Sequence, residues 1–136
     1  MTNQNLAINS SIPTPVKIFS WILICAGCFF FYVYTFHPSL SFPNANLDSY
    51  SAKMGFASAG VRILGSVLAL IISLIYNKPH WLFITLISRI FIELGDVIVG
   101  LYLDGVSANT FALIVLAGLE IWATLRLWKV IKSTNN

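Results

Sequence analysis

Charge is what this sequence has least of. Charged residues make up 10% of its 136 positions, where a soluble domain carries about a quarter. That shortage excludes the ordinary water-facing surface of a soluble fold. Eight Lys and Arg and a net charge of +3 also fall far short of the clustered basic face of a nucleic-acid binder. Cysteine is nearly absent: Cys25 and Cys28 stand without a second pair to relay electrons. There is no Gly-rich phosphate loop, no nucleophile elbow and no zinc-ligand spacing. His37 and His80 fall at opposite ends of the layout derived below, so they cannot share a metal. No cofactor is evident, and neither an internal repeat nor a low-complexity segment is present.

What is there is hydrophobic. Apolar residues make up 57% of the chain and the mean hydropathy is +0.81. Four apolar runs, at about 16–36, 55–76, 81–103 and 110–131, are each long enough to cross roughly 30 Å of hydrocarbon. They predict an all-α, antiparallel four-helix transmembrane bundle: a single membrane domain, 16–132, behind a disordered leader, 1–15. The first run reads as a retained helix rather than a signal peptide. It is long and aromatic, Lys17 is the lone basic side chain ahead of it, and no small-x-small cleavage site follows. The links are short. Asn77 to His80 is a tight turn in which Pro79 cannot continue a helix. Between the third and fourth runs, Gly105 is a helix stop and Ser107 or Asn109 an N-cap. The longest link, 37–54, holds Pro38, Pro43 and Asp48, with Phe42 and Tyr50 placed to sit at headgroup level.

Four spans put both termini on one side, together with Lys17, Lys78, Arg126, Lys129 and Lys132. The other side receives Lys53 with Asp48 and Asp104. Basic residues mark the cytoplasmic side, so both termini are expected in the cytoplasm and the protein in the plasma (inner) membrane. Arg126, Lys129 and Lys132 read as anchors that end a helix against anionic headgroups. Trp81, Trp122 and Trp128 fall near span ends, as do Tyr32, Tyr34 and Tyr102, where aromatic rings are favoured. Asn9-Ser10-Ser11 matches a glycosylation acceptor but lies on the wrong side to be one.

Five charges remain inside the spans: Arg62, Arg89, Glu93, Asp96 and Glu120. Three of them crowd the third run. Its fourteen Leu, Ile, Val and Phe residues favour insertion by about 0.3–0.6 kcal/mol each, against a cost of about 2.5–3.5 kcal/mol for each central charge. The opposing contributions are of similar size, so this helix is marginal alone. Helical spacing offers a remedy. Thr85, Arg89, Glu93, Asp96 and Gly100 fall on one stripe, and the opposite face is apolar. The second helix repeats the spacing in Ser58, Arg62, Ser66, Ala69 and Ser73, and the fourth carries Ala117, Glu120 and Thr124. Counted from the outer span ends, Arg62 and Asp96 are equally deep. An Arg62–Asp96 pair between helices and an Arg89–Glu93 pair within the third are expected. Glu120 faces them without a cation of its own, either protonated or sharing Arg62 or Arg89. This core is either a structural clasp that fixes helix register or a polar cavity for a ligand, a proton path or a quinone-like headgroup.

Cys25-Ala26-Gly27-Cys28 has the spacing of a redox CxxC. It lies near mid-span on an apolar helix, however, where small thiols beside Ala26 and Gly27 read as packing residues.

Two segments carry a resemblance: "MGFASAGVRILGSVLAL" (54–70) and "ELGDVIVG" (93–100). With the four-span layout and the long first outer link, they resemble the DoxX-like superfamily of small four-helix membrane proteins, over about 16–132. In the related branch the Arg is often followed directly by Asp. Ile63 stands there in this chain, so that carboxylate's role is absent or moved to Asp96 or Glu93. The resemblance implies a fold more than an activity; founding members are linked to quinone-coupled sulfur oxidation.

Three function classes follow. The first is an accessory or ligand-binding membrane protein whose polar core of Arg62, Glu93, Asp96 and Glu120 holds a lipophilic ligand or stabilises a complex, with a second copy or a membrane-complex partner. The second is a membrane enzyme on a lipophilic, quinone- or lipid-like substrate, with Asp96 or Glu93 as acid/base and Arg62 as clamp. The third is a proton-coupled transporter, disfavoured by the absence of any inverted-repeat or broken-helix signal.

Overall fold

The structure, a computed structural model, describes residues 11–40 and 49–134. Four long helices account for nearly all of them: α1 (Thr14–Phe36), α2 (Tyr50–Ile75), α3 (Pro79–Asp104) and α4 (Ala108–Thr134), with a single 3-10 turn at Pro38–Leu40. No strand occurs among the described residues, so the all-α class expected from the apolar runs is the class observed. The chain forms two compact units. One contains residues 11–17 and 73–134 of those described, the other 18–40 and 49–72.

Every helix runs past the apolar stretch that announced it, because its ends are set by caps and turn chemistry rather than by hydrophobicity. At the start of α1, Pro13 and Pro15 sit where no amide hydrogen is required, and the Pro13 carbonyl accepts from Lys17 N–H at 3.0 Å. Residues 11–13 lead into the helix, and Ile12 is buried. The α2 helix begins at Tyr50 because Ser49 caps it, its Oγ accepting from Ala52 N–H at 3.1 Å. The long link is shortened accordingly. At the other end of α2, Lys78 N–H reaches the Ser73 carbonyl and Asn77 N–H the Leu74 carbonyl, both at 3.1 Å. That closure needs a left-handed residue, and Asn77 supplies it at φ 49°. Pro79 then opens α3 at its first turn instead of ending a helix. Ser107 is the cap of α4, accepting from Thr110 N–H at 3.2 Å, and Gly105, at φ 65°, ends α3. Residues 1–10 with Asn9, and Phe42, Pro43 and Asp48 of the long link, lie outside the described residues, as do the side chains of Asp104 and Asn109.

In the first unit α3 and α4 form an antiparallel hairpin. Its register is set by Gly100 against Thr110, Arg89 against Glu120 and Phe83 stacked on Trp128. Facing positions therefore have numbers summing to about 210 along the whole seam. Gly100 makes this approach close: a Cβ there would lie 3.1 Å from Thr110 Oγ1, which would have to give by a few tenths of an ångström. The N-terminal segment joins this unit through Ile12 N–H, which donates to Asn77 Oδ1 at 3.3 Å.

In the second unit α1 and α2 run antiparallel. Gly27 meets Val67, Gly60 meets Thr35, and Tyr34 packs edge-on against Phe56 at 6.1 Å. A Cβ on Gly27 or Gly60 would collide with its partner. These two glycines let the helices approach closely, as small residues do between membrane helices.

Candidate functional site

Three helices are long and apolar enough to cross a membrane: α1, α2 and Thr110–Ser133 of α4. Their exposed residues are what lipid would meet, including Trp21, Phe29, Phe36, Phe111 and Leu125. The α3 helix has the length, but every stretch of eighteen residues within it contains Arg89, Glu93 and Asp96. Its faces segregate as the spacing predicts. Arg89 and Glu93 are buried, and Thr85, Asp96 and Gly100 half-buried; Ile84, Phe91, Ile98 and Tyr102 line the exposed side.

The polar stripe of α3 meets its counterpart on α4. Arg89 Nε–H donates to Glu120 Oε1 at 2.6 Å, and Arg89 Nη2–H donates to Glu93 Oε1 at 3.2 Å. One guanidinium thus bridges two carboxylates, one a turn away on its own helix and one across the seam. Arg suits this position because its planar fork offers several donors in fixed geometry. Glu120 is fully buried and held among Ala117, Ala123 and Thr124, all buried on the same face. Thr124 Oγ–H spends its donor on the Glu120 backbone carbonyl at 2.8 Å, so it does not reach the carboxylate. Glu120 Oε2 has no hydrogen-bond donor among the described residues. An acceptor left open in such a place costs on the order of 1–3 kcal/mol.

The other expected core residues are placed as follows. Asp96 is half-buried and stands three residues beyond Glu93 along the same stripe, about 12 Å from the end of α3. Arg62 is exposed and stands twelve residues, about 18 Å, inside α2. The α2 helix starts at Tyr50, five residues before the apolar run from which the depth of Arg62 is counted. The α2 stripe is likewise uneven: Ser58 and Arg62 are exposed, Ser66 and Ala69 half-buried and Ser73 buried.

Cys25 and Cys28 are free and exposed on α1, which corrects their reading as packing residues; Gly27, between them, does the packing. Among the described residues no three His, Cys, Asp or Glu side chains gather closely enough to hold a metal.

Sequence spacing missed a second polar knot that closes the hairpin. Thr110 is buried beside Gly100; its Oγ–H donates to the Gly105 carbonyl at 3.2 Å, and its Oγ1 lies 3.0 Å from Ser107 Oγ. The signal was a capping Ser three residues before a Thr, opposite a glycine. Ser20 and Thr35 on α1 were also missed: both bury a hydroxyl oxygen without a hydrogen-bond partner among the described residues.

Apolar helices of this length, with a charged cluster on a buried face, define an integral membrane protein. Compared with family models, with curated proteins and with solved structures, the chain finds no match.

Proposed function

We propose that the protein is a four-span membrane protein, α3 being the fourth span, that acts as an accessory or ligand-binding protein through its polar core. Both termini are assigned to the cytoplasmic side of the plasma (inner) membrane, on the excess of Lys and Arg at that end. Kinship with the DoxX-like superfamily is part of the proposal and rests on segments 54–70 and 93–100.

The observation that carries the reading is the state of Glu120. One of its oxygens is held by Arg89 and the other, fully buried, lacks a donor. A clasp needs the first oxygen alone. The second is an acceptor fixed in place by the first, suited to a hydroxyl or amine of a lipophilic molecule or of a membrane partner. Arg89 and Glu93 orient it, and Asp96 extends the polar surface along α3.

The test is native mass spectrometry of the purified chain and of Glu120→Gln, which keeps an oxygen for Arg89 but changes the open position. Loss of a co-purifying molecule, with folding intact, supports the reading. An unchanged molecular inventory and an unchanged phenotype reduce the cluster to a clasp.

A further inference from the structure

A different part of the first unit carries an interaction of its own. Lys78, Arg126, Lys129 and Lys132 are exposed, and Lys17 is half-buried. The hairpin register sets Lys78 level with Lys132 and Trp81 level with Lys129. The hydrogen bond from Ile12 N–H to Asn77 Oδ1 ties the segment leading to Lys17 to the same end. The sequence has no Asp or Glu in 1–47 or in 121–136, so no acidic residue of either terminal segment offsets these cations. Aromatic rings stand among them in fixed poses. The Arg126 guanidinium lies over the Trp122 ring, 5.9 Å from its centroid. Trp128 stacks on Phe83 at 5.6 Å, and Trp81 meets Tyr76 edge-on at 5.7 Å. Half-exposed indoles beside cations are the side chains favoured at a membrane–water interface.

We propose that this end of the unit is a binding site for the headgroup of an anionic phospholipid, selective over zwitterionic lipid. Arg126 and Lys129, one helical turn apart on the exposed face of α4, take the phosphate. Lys78 and Lys132 supply the surrounding field, and Trp122 and Trp128 lie along the upper acyl chain. This goes beyond helix anchoring. An anchor needs only a bilayer, whereas Arg126 held over Trp122 is positioned before lipid arrives and loses less freedom on binding. It is also independent of the Glu120 reading, since none of its residues belongs to that cluster.

The full chain in micelles doped with equal phosphatidylglycerol and phosphatidylcholine, read by native mass spectrometry, tests it. Wild type is expected to retain phosphatidylglycerol preferentially. The double variant Arg126→Gln/Lys129→Gln should lose that preference by about tenfold or more, from about a kcal/mol-scale attraction per cation, with helix content unchanged by circular dichroism. Lys78→Gln/Lys132→Gln should weaken it less, and Lys53→Gln, at an exposed position outside this unit, should leave it intact. Equal retention of the two lipids by wild type overturns the proposal, as does a double variant that still selects phosphatidylglycerol. Displacement of the lipid by millimolar inorganic phosphate overturns it too, in favour of a free-phosphate site.

Discussion

Removing Glu120 should do more to the α3–α4 hairpin than removing any apolar residue of comparable size at its edge. In Glu120→Leu, Arg89 loses its 2.6 Å bond across the seam and keeps Glu93 at 3.2 Å. A hydrogen bond to a charged group contributes about 1.5–3 kcal/mol, and breaking a buried pair costs about 3–5 kcal/mol. Membrane interiors give smaller values, near 0.6 kcal/mol for an average interhelical bond. The short distance, the ionic partners and the complete burial of Glu120 place this one at the upper end, at about 2–4 kcal/mol. Arg89→Leu should cost more, because it strips the cation from two carboxylates at once. Glu93→Leu should cost least, since its bond is longer and its side chain 12% exposed. A double-mutant cycle on positions 89 and 120, followed by equilibrium unfolding in mixed micelles, should give a coupling of about 1.5–3 kcal/mol. The triple apolar variant, Arg89→Met/Glu93→Leu/Glu120→Leu, should return to within about 1 kcal/mol of wild type. A coupling under about 0.5 kcal/mol, with the three single variants in any other order, would show that the cluster does not clamp the seam.

Other consequences concern helix approach and insertion. Gly60→Ala and Gly27→Ala should each destabilise by about 1–3 kcal/mol in thermal or detergent unfolding, because their new Cβ atoms meet Thr35 and Val67. Gly65→Ala, with nothing near its Cβ, should stabilise by up to about 1 kcal/mol through helix propensity; a loss there as large as at Gly60 would contradict the packing described. Cys25 and Cys28, free and exposed on an apolar helix, should react with a membrane-permeant maleimide and resist an impermeant one. In a glycosylation-mapping assay, α3 should insert less efficiently in Glu120→Leu than in wild type, while the triple apolar variant should insert at least as well.

Helix number and class were legible because four apolar runs exceed the length of a bilayer span and the chain has little else. The stripe on α3 was legible too, since Arg89, Glu93 and Asp96 can share a face only with helical spacing. The helix ends were not. Hydrophobicity marks where lipid is favoured, whereas Ser49 and Ser107 set where α2 and α4 begin. The Arg89–Glu120 bond was one of several open choices in sequence. Choosing it requires the register of the hairpin, fixed by Gly100 fitting against Thr110 and by the three-residue link between α3 and α4. The cysteines were misread for a related reason. Small residues on a membrane helix suggest packing, but only Gly27 faces α2, and its neighbours turn outward.

On the four-span proposal α3 crosses the membrane despite its three charges, held by Arg89 and Glu120. Single cysteines at Lys78→Cys and Ser107→Cys, in a Cys25→Ser/Cys28→Ser background, flank α3 at its two ends. Impermeant reagent should label them from opposite faces of sealed, oriented vesicles, with Lys78→Cys on the cytoplasmic face. Labelling of both from the same face would mean that α3 does not span the bilayer.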